Sequence, residues 1–260
     1  MKMVAAVFAS LLLESCAIPP VNYAPPAELA PTGTLRAGIM YTNPVVAARD
    51  AATGELRGIA VDLARELARK SALPLELVAY ETAARMLGDL NADKWDVAFT
   101  GVDPDGAGDI AFSQPYIDSD GTFLVNASSP LRVIADVDRE GVRVAVSEKS
   151  TLDLTLTRML RRAQIVRAPG AGGALALFSA GKADVLAGVR QQLDSVAAKN
   201  PGARLLDGRF MVISQGIAMQ KARAAAVSYL DAFVDEAKAS GFVAKAIERH
   251  NSRAVVRQQP

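Results

Sequence analysis

The sequence contains a single cysteine, Cys16, and a single histidine, His250, among its 260 residues. One cysteine excludes an internal disulfide and a cysteine-cluster metal site. With one histidine, in a polar C-terminal stretch, catalysis by a Ser/His or Cys/His pair and zinc catalysis are both disfavoured. These shortages narrow the possible functions before any motif is considered.

The chain also lacks an excess of charge of either sign. Lys and Arg total 29, Asp and Glu total 28, and the charges are spread along the sequence. This balance argues against a nucleic-acid surface or a polybasic membrane patch. Half of the residues are hydrophobic, which is typical of a globular protein with a sizeable core.

Long apolar runs are missing after the N-terminus. The run Val4–Leu13 follows Lys2 and is too short to span a bilayer, so it predicts an export signal. The sequence Leu13-Glu-Ser-Cys16 resembles a lipoprotein box, which makes residues 1–16 a leader and Cys16 a lipid anchor. Signal cleavage after Ala17 is the alternative. Either route predicts a protein of the periplasm or cell envelope.

Residues 17–32 contain five prolines among small side chains. Because proline fixes φ and lacks an N–H, such a stretch predicts an extended Pro-rich linker.

Beyond the linker, strand and helix patterns alternate in two series. The first predicts strands at 34–40, 75–80 and 96–100, with helices beginning at 61 and at 83. The second predicts strands at 142–146, 164–168 and 184–187, with helices at 151–161, 174–179 and 191–199. Such alternation favours α/β lobes, each a mostly parallel sheet flanked by helices.

The two series share one weakly repeated sequence pattern. Asp96-Val97 and Asp184-Val185 each follow a helix end and a polar turn, and each opens a buried strand. Internal duplication and the frequency of the common α/β unit explain this equally well. Both readings predict two lobes whose strands end at a shared cleft.

The segment 96–116 is the centre of the site prediction. A short apolar strand runs into a Gly/Pro/Asp cluster, so the backbone emerges at the carboxyl end of a strand, where open α/β sheets bind ligands. Thr100, Gly101, Asp103 and Asp105 are predicted to line this turn. Asp103 accepts from a ligand amine, hydroxyl or cation, or it only caps the turn.

Asp103, Asp105 and Asp109 resemble a calcium loop in composition only. The third ligand and the distal Glu of such a loop are missing, so no metal site is predicted.

Several segments, in this order, resemble the extracytoplasmic solute-binding proteins of amino-acid-type ABC transporters, bacterial solute-binding protein family 3. They are 35–38, 54–64, 94–97, 112–116, 181–184 and 239–245. The resemblance implies a two-lobe periplasmic-binding-protein-like fold of type II, joined by two crossover strands. It places lobe 1 at 33–124 plus 215–250, lobe 2 at 125–214, and a polar tail at 251–260.

The resemblance also locates the family's ligand clamp, and this chain departs from it. The Arg that grips the ligand carboxylate corresponds to Gly106, and the acidic partner of the ligand ammonium falls near Val189. The stacking aromatics fall near Asn43, Val46 and Ala83. The usual α-amino-acid clamp is therefore absent.

Other residues are candidates to replace that clamp. Arg190 follows the strand at 184–187 and is either an anion contact or a solvated first-turn residue, with Gln191 beside it. Ser150 and Thr151 begin a helix, where their hydroxyls and free backbone N–H groups can bind a carboxylate, or Ser150 is only an N-cap. Lys149 replaces a family glycine and brings a charge towards the cleft.

The Tyr116 hydroxyl either reaches the cleft or the ring only packs. Asn43, Arg85 and Gln215 are cleft candidates by position alone.

The implied function is a monomeric binding protein without catalytic residues or cofactor. It captures a small polar, carboxylate-bearing solute between its lobes and presents it to an ABC transporter permease. One alternative is an enzyme resembling cyclohexadienyl dehydratase, with Asp103, Asp105, Glu148 or Lys149 as the acid or base. The other is a ligand sensor without a transport role.

Overall fold

The computed structural model describes residues 24–43, 45–90, 92–103, 108–252 and 254–257. The predicted leader, Cys16, Asp105 and Gly106 lie outside these residues. No helix in the described ranges is both long enough and apolar enough to cross a lipid bilayer.

The end of the predicted linker is packed. Ala27–Leu29 forms a 3-10 turn, and the Leu29 side chain is fully buried in the core. The prediction of an extended linker is therefore wrong for Ala27–Leu29, because burial of the Leu29 side chain stabilises the packing of this segment against the core.

The chain forms thirteen strands and seven α-helices within the described residues. Up to the first crossover strand they are β1 (Leu35–Met40), β2 (Ala48–Arg49), β3 (Leu56–Arg57), α1 (Ile59–Lys70), β4 (Leu75–Tyr80), α2 (Ala83–Gly88), β5 (Val97–Gly101), β6 (Ile110–Phe112) and β7 (Ile117–Asn126). The remainder are β8 (Arg143–Ser147), α3 (Thr151–Met159), β9 (Gln164–Ala168), α4 (Gly170–Ser179), β10 (Val185–Val189), α5 (Arg190–Lys199), β11 (Ala203–Leu205), β12 (Met211–Gln220), α6 (Val227–Ala239), α7 (Phe242–Arg249) and β13 (Val255–Val256).

The strands form two mostly parallel groups joined by an antiparallel pair. In the first lobe β1 pairs in parallel with β4 and β5, and in the second lobe β8 pairs in parallel with β9 and β10. Between them β12 pairs with β7, and the sheet order is β4-β1-β5-β12-β7-β10-β8-β9. The predicted two-lobe α/β fold with two crossover strands is confirmed.

Helix α1 shows why the chain folds this way locally. Its apolar residues recur at helical spacing, and Ile59, Leu63 and Leu67 are fully buried. The helix begins after Gly58, whose φ is +134°. A Cβ at Gly58 would lie 2.6 Å from the Ala47 Cα, so only glycine fits where these two segments cross.

An arginine–aspartate clamp ties two parallel strands together in each lobe. In the first lobe, Asp96 Oδ2 accepts from the Arg36 backbone N–H at 2.9 Å and from its Nε at 3.0 Å, and Oδ1 accepts from Nη2 at 2.6 Å. In the second lobe, Asp184 accepts from the same three nitrogens of Arg143 at 2.9, 3.0 and 2.8 Å. The repeated Asp-Val pattern of the sequence thus corresponds to the same contact in both lobes.

The two clamps differ in burial. The Asp96 side chain is 0% exposed and also accepts from Arg223 Nη1 at 3.0 Å, whereas the Asp184 side chain is 43% exposed. A shielded carboxylate with two guanidinium partners depends on them far more than an exposed one does.

The tail is not wholly a polar appendage. Val255–Val256 pairs antiparallel with β7 at Asp118 and Ile117, and Arg257 Nη1 donates to Asp118 at 2.8 Å. The predicted polar tail is corrected here, since Val255–Val256 forms β13 across the crossover strand.

Asp96→Asn is expected to lower the free energy of unfolding by about 3 kcal/mol, because it removes a buried charge from two guanidinium groups. Asp184→Asn is the matched variant and is expected to cost about 1 kcal/mol. Urea unfolding at pH 7 measures both, and equal costs would contradict the role given to burial.

The second clamp also predicts a pH dependence. Hydrogen bonds from Arg143 hold the pKa of Asp184 below its ordinary value. The stabilisation is therefore present at neutral pH and is lost as the pH falls through that lowered pKa. The difference between wild type and Asp184→Asn should shrink below about pH 4.

Candidate functional site

A cleft between the two lobes encloses about 900 Å³ of empty space, part of it open to solvent. The carboxyl ends of β1, β5, β8 and β10 all reach it, as expected for parallel strands. Its apolar walls are Met40, Ala83, Leu87, Ile110, Phe112, Leu152, Leu154, Ala171, Val189 and Ile213. Its polar lining is Thr42, Asn43, Thr100, Asp103, Ser147, Lys149, Ser150, Thr151, Gln192 and Gln215, with Gly101 among them.

Most of the residues singled out in the sequence meet here. The cleft brings together Asn43, Thr100, Gly101, Asp103, Ser150 and Thr151, together with Lys149 and Gln215. The apolar walls and Gln192 were missed, because an isolated Leu or Phe carries no sequence signal that separates a cleft wall from the core.

Arg190 and Gln191 do not line the cleft. Helix α5 begins at Arg190, whose Nε lies 3.5 Å from Asp120 Oδ2 and whose Nη2 donates to the Gly208 carbonyl. Both residues border a second cavity beside β7 and β13. The predicted placement of Arg190 as the anion contact is corrected, because its side chain is directed to the crossover strand at the first turn of α5.

Tyr116 also lies away from the cleft. Its side chain is fully buried, packs edge-to-face on Phe99 at 6.2 Å between ring centroids, and has a hydroxyl without a partner among the described residues. Burial raises the pKa of this phenol. The packing alternative therefore describes Tyr116.

The N-terminus of α3 forms one side of the cleft. Ser150 Oγ accepts from the Asp153 N–H at 3.2 Å, so Ser150 is the N-cap. The N–H groups of Thr151 and Leu152 donate to no described residue, and both residues line the cleft. These free donors lie at the positive end of the helix dipole, where an anion is favoured.

Lys149 precedes this helix in a left-handed conformation, with φ +54°. Its backbone N–H donates to Asp153 Oδ2 at 2.9 Å, and its exposed side chain lies at the rim of the cleft. The ammonium forms no ion pair with the described residues.

Asn43 and Thr100 face α3 from the first lobe. Asn43 Oδ1 accepts from the Val45 N–H at 3.2 Å, which leaves its amide nitrogen without a described partner. The Thr100 hydroxyl also has none. Both side chains can therefore bind a solute.

Gln215 on β12 is the most shielded polar group of the cleft. The residue is 2% exposed, and its side-chain amide makes no hydrogen bond to any described residue. Among the described residues, Tyr116 Oη is the one fully enclosed side-chain polar atom without a partner, so the Gln215 amide keeps access to the cleft, where a polar ligand atom can reach it.

Two contacts close the cleft. At Gly101, a Cβ would overlap Thr151 Oγ1 and lie 3.2 Å from the Thr151 Cβ. Further along, Arg158 on α3 contacts Asp103, with Nη1 3.3 Å from Oδ2 and Nη2 3.3 Å from Oδ1. Asp103 thus has a partner in the opposite lobe, whereas the sequence predicted either a ligand contact or a turn cap for this residue.

Among the described residues, Asp103 and Lys149 are the acidic and basic groups of the cleft lining. Glu148 and Arg85 do not line it. No group of three or more His, Cys, Asp or Glu side chains suited to a metal ion occurs in the described part of the chain.

Gly101→Ala is expected to hold the lobes apart, because the added methyl group overlaps Thr151 and costs the closed state about 1–3 kcal/mol. Small-angle X-ray scattering should show a larger radius of gyration than in wild type. Gly172→Ala is the control, since no atom lies within 4 Å of the position that its Cβ would take. An unchanged radius for Gly101→Ala would contradict the contact.

Comparisons with known proteins bear on the family and the fold of the chain. The model of the bacterial extracellular solute-binding proteins, family 3, matches residues 35–253. The glutamine-binding protein of Geobacillus stearothermophilus is 23% identical over 194 residues, which cover 73% of each chain.

Two solved structures share the fold. One is the amino acid ABC transporter substrate-binding protein AbpA of Streptococcus pneumoniae bound to L-arginine, with a TM-score of 0.73, 19% identity, and coverage of 85% of this chain and 96% of that one. The other is an ancestral amino-acid-binding protein described as a precursor of cyclohexadienyl dehydratase, with a TM-score of 0.71, 23% identity, and coverage of 85% and 97%. Since the family model spans most of the sequence, the chain belongs to the bacterial extracellular solute-binding proteins of family 3.

Proposed function

We propose that this protein binds a small carboxylic acid with an apolar body between its lobes and presents it to the permease of an ABC transporter. The single observation that carries this proposal is Gln215, a nearly buried residue whose side-chain amide opens to the cleft and has no hydrogen-bond partner among the described residues. A polar atom of a bound solute would supply the missing hydrogen bond.

The carboxylate is assigned to the α3 side of the cleft. The free N–H groups of Thr151 and Leu152, the helix dipole and the Lys149 ammonium all favour a negative group there. Arg190 has no part in this arrangement, because it lies against Asp120 in the second cavity.

The body of the solute is assigned to the apolar walls. Leu87, Phe112, Leu154 and Ile213 face the cleft. Ligand pockets are commonly lined by apolar side chains, with a few polar groups that fix orientation. This lining favours an acid with an aliphatic or aromatic group over a polyhydroxylated solute.

Binding is coupled to closure of the lobes. We place the pivots where the crossover strands change partner, at Gly121 on β7 and at Gln215 on β12. These positions lie close to the boundaries at 124 and 214 expected from the sequence. Solute held between the lobes shifts the equilibrium towards the closed form, which the permease recognises.

An enzyme is the second candidate, since a dehydratase precursor shares the fold. Among the described cleft residues an acid or base would have to be Asp103 or Lys149, and Asp103 is paired with Arg158. Incubation with a cyclohexadienyl acid, followed by ultraviolet absorbance of an aromatic product, tests this candidate.

The proposed function predicts a class of ligands. In a thermal-unfolding screen, a carboxylic acid with an apolar group at a hundredfold excess over its dissociation constant should add about 2.7 kcal/mol of stability. Lys149→Gln should weaken its binding roughly fivefold, the scale of an exposed ion pair. Lys182→Gln, an exposed lysine outside the cleft, is the control, and a flat response to all carboxylic acids would reject the proposal.

Gln215→Leu separates binding from stability. It should abolish the ligand-induced shift yet leave the unfolding free energy of the ligand-free protein unchanged or about 1 kcal/mol higher, because the amide that it removes makes no hydrogen bond to the described residues. Gln220→Leu on the same strand is the matched control, since Gln220 Nε2 donates to the Leu90 carbonyl at 2.7 Å. That variant should lose stability and keep ligand binding.

If Gln215→Leu is destabilised as much as Gln220→Leu, the Gln215 amide supports the fold and not a ligand.

A further inference from the structure

Asp103 is the one carboxylate that the described residues place on the wall of the cleft. It lies two residues after β5 and is 7% exposed. A charged carboxylate shielded from water to this extent is costly unless a cation or several hydrogen-bond donors accompany it. Closure of the lobes therefore requires a positive partner for Asp103, which either the solute or the protein must supply.

Arg158 supplies that partner from the opposite lobe. Its two terminal nitrogens each lie 3.3 Å from a different oxygen of Asp103, in the two-pronged arrangement that suits guanidinium and carboxylate. Arg158 is the second-last residue of α3, and its Nη2 also lies 3.5 Å from Thr155 Oγ1 one turn earlier.

The guanidinium reaches Asp103 from the rim. The Arg158 side chain is 46% exposed, and the residue does not line the cleft. Arg158 can therefore satisfy the carboxylate without filling the space in which a solute binds.

We propose that Arg158 determines specificity by acting as the protein's own counter-ion for Asp103. A solute with a cationic side group has no free carboxylate to pair with, and Lys149 at the rim adds a second repulsive charge. A solute without a cationic group leaves the Asp103–Arg158 pair intact, so the lobes close on it. This inference rests on the proposed function, because it names the solutes that the same cleft rejects.

The test uses L-arginine as a probe, since its guanidinium matches that of Arg158. Isothermal titration calorimetry on the full chain compares wild type with Arg158→Gln. Arg161→Gln is the matched control, because Arg161 is exposed just beyond α3 and has no contact with Asp103. Arg158→Gln should bind L-arginine roughly tenfold or more tightly than wild type, and Arg161→Gln should not.

A double variant assigns the gain to Asp103. Asp103→Asn combined with Arg158→Gln should lose the gained affinity, because the carboxylate that attracts the probe is gone. Equal affinities of wild type and Arg158→Gln, a gain that persists in the double variant, or tight binding of L-arginine by wild type would each overturn the proposal.

The closure of the lobes can also be measured in the absence of a ligand. Small-angle X-ray scattering of ligand-free Arg158→Gln should show a larger radius of gyration than wild type, whereas Arg158→Lys, which keeps the charge but not the fork, should lie between them. A radius equal to that of wild type for Arg158→Gln would overturn the counter-ion role in closure. Far-UV circular dichroism verifies that each variant is folded.

The two proposals fail separately. A carboxylic-acid screen without any hit rejects the proposed solute class, yet it does not alter the comparison of wild type with Arg158→Gln. Conversely, a carboxylic acid can bind as proposed while the affinity for L-arginine is the same in wild type and in Arg158→Gln. Only the counter-ion role of Arg158 is then rejected.

Discussion

The antiparallel pairing of β7 with β12 is the constraint on which the rest of the structure depends. Residues 117–121 of β7 pair with residues 211–215 of β12, and each strand then continues into the sheet of one lobe. This register brings the carboxyl ends of strands from both lobes to one cleft. It also leaves the lobes connected by a narrow pair of strands, which is the geometry of a hinge.

The contacts across the cleft depend on that register. Gly101 lacks a side chain where α3 approaches, and Thr151 occupies the space. Two residues beyond Gly101, Asp103 meets Arg158 from the same helix. A close steric fit and an ion pair thus act on the same two segments, so the closed arrangement limits the access of water to a cavity that stays partly open to solvent. Within such a cavity each remaining polar group counts for more, because the effective dielectric is low.

Both lobes contain the same arginine–aspartate contact, but the aspartate is buried to different extents in the two. In each, an arginine at the start of a parallel strand holds an aspartate that precedes a neighbouring strand. Asp96 is covered by the C-terminal region through Arg223, whereas Asp184 has no second guanidinium partner in the described residues. The repeated Asp-Val pattern at Asp96 and Asp184 thus corresponds to one contact that both lobes use.

The sequence by itself determined the order of the main parallel strands and of the helices between them, the two lobes and one wall of the cleft. Period-2 and helical spacing are local properties, and the carboxyl ends of parallel strands meet at one edge, so Thr100, Gly101 and Ser150 could be placed from residue patterns alone. Only the tertiary structure decided which side chains at those ends face the cavity. A single turn of α5 directs Arg190 to the crossover strand, and packing encloses Tyr116 in the core.

The proposed role of Gln215 depends on how deeply the residue is covered, and that of Arg158 on a partner 55 residues away. Neither property can be deduced from local sequence spacing. The physical reason is that side-chain direction at the end of an element, and the depth at which it is covered, are set by long-range packing.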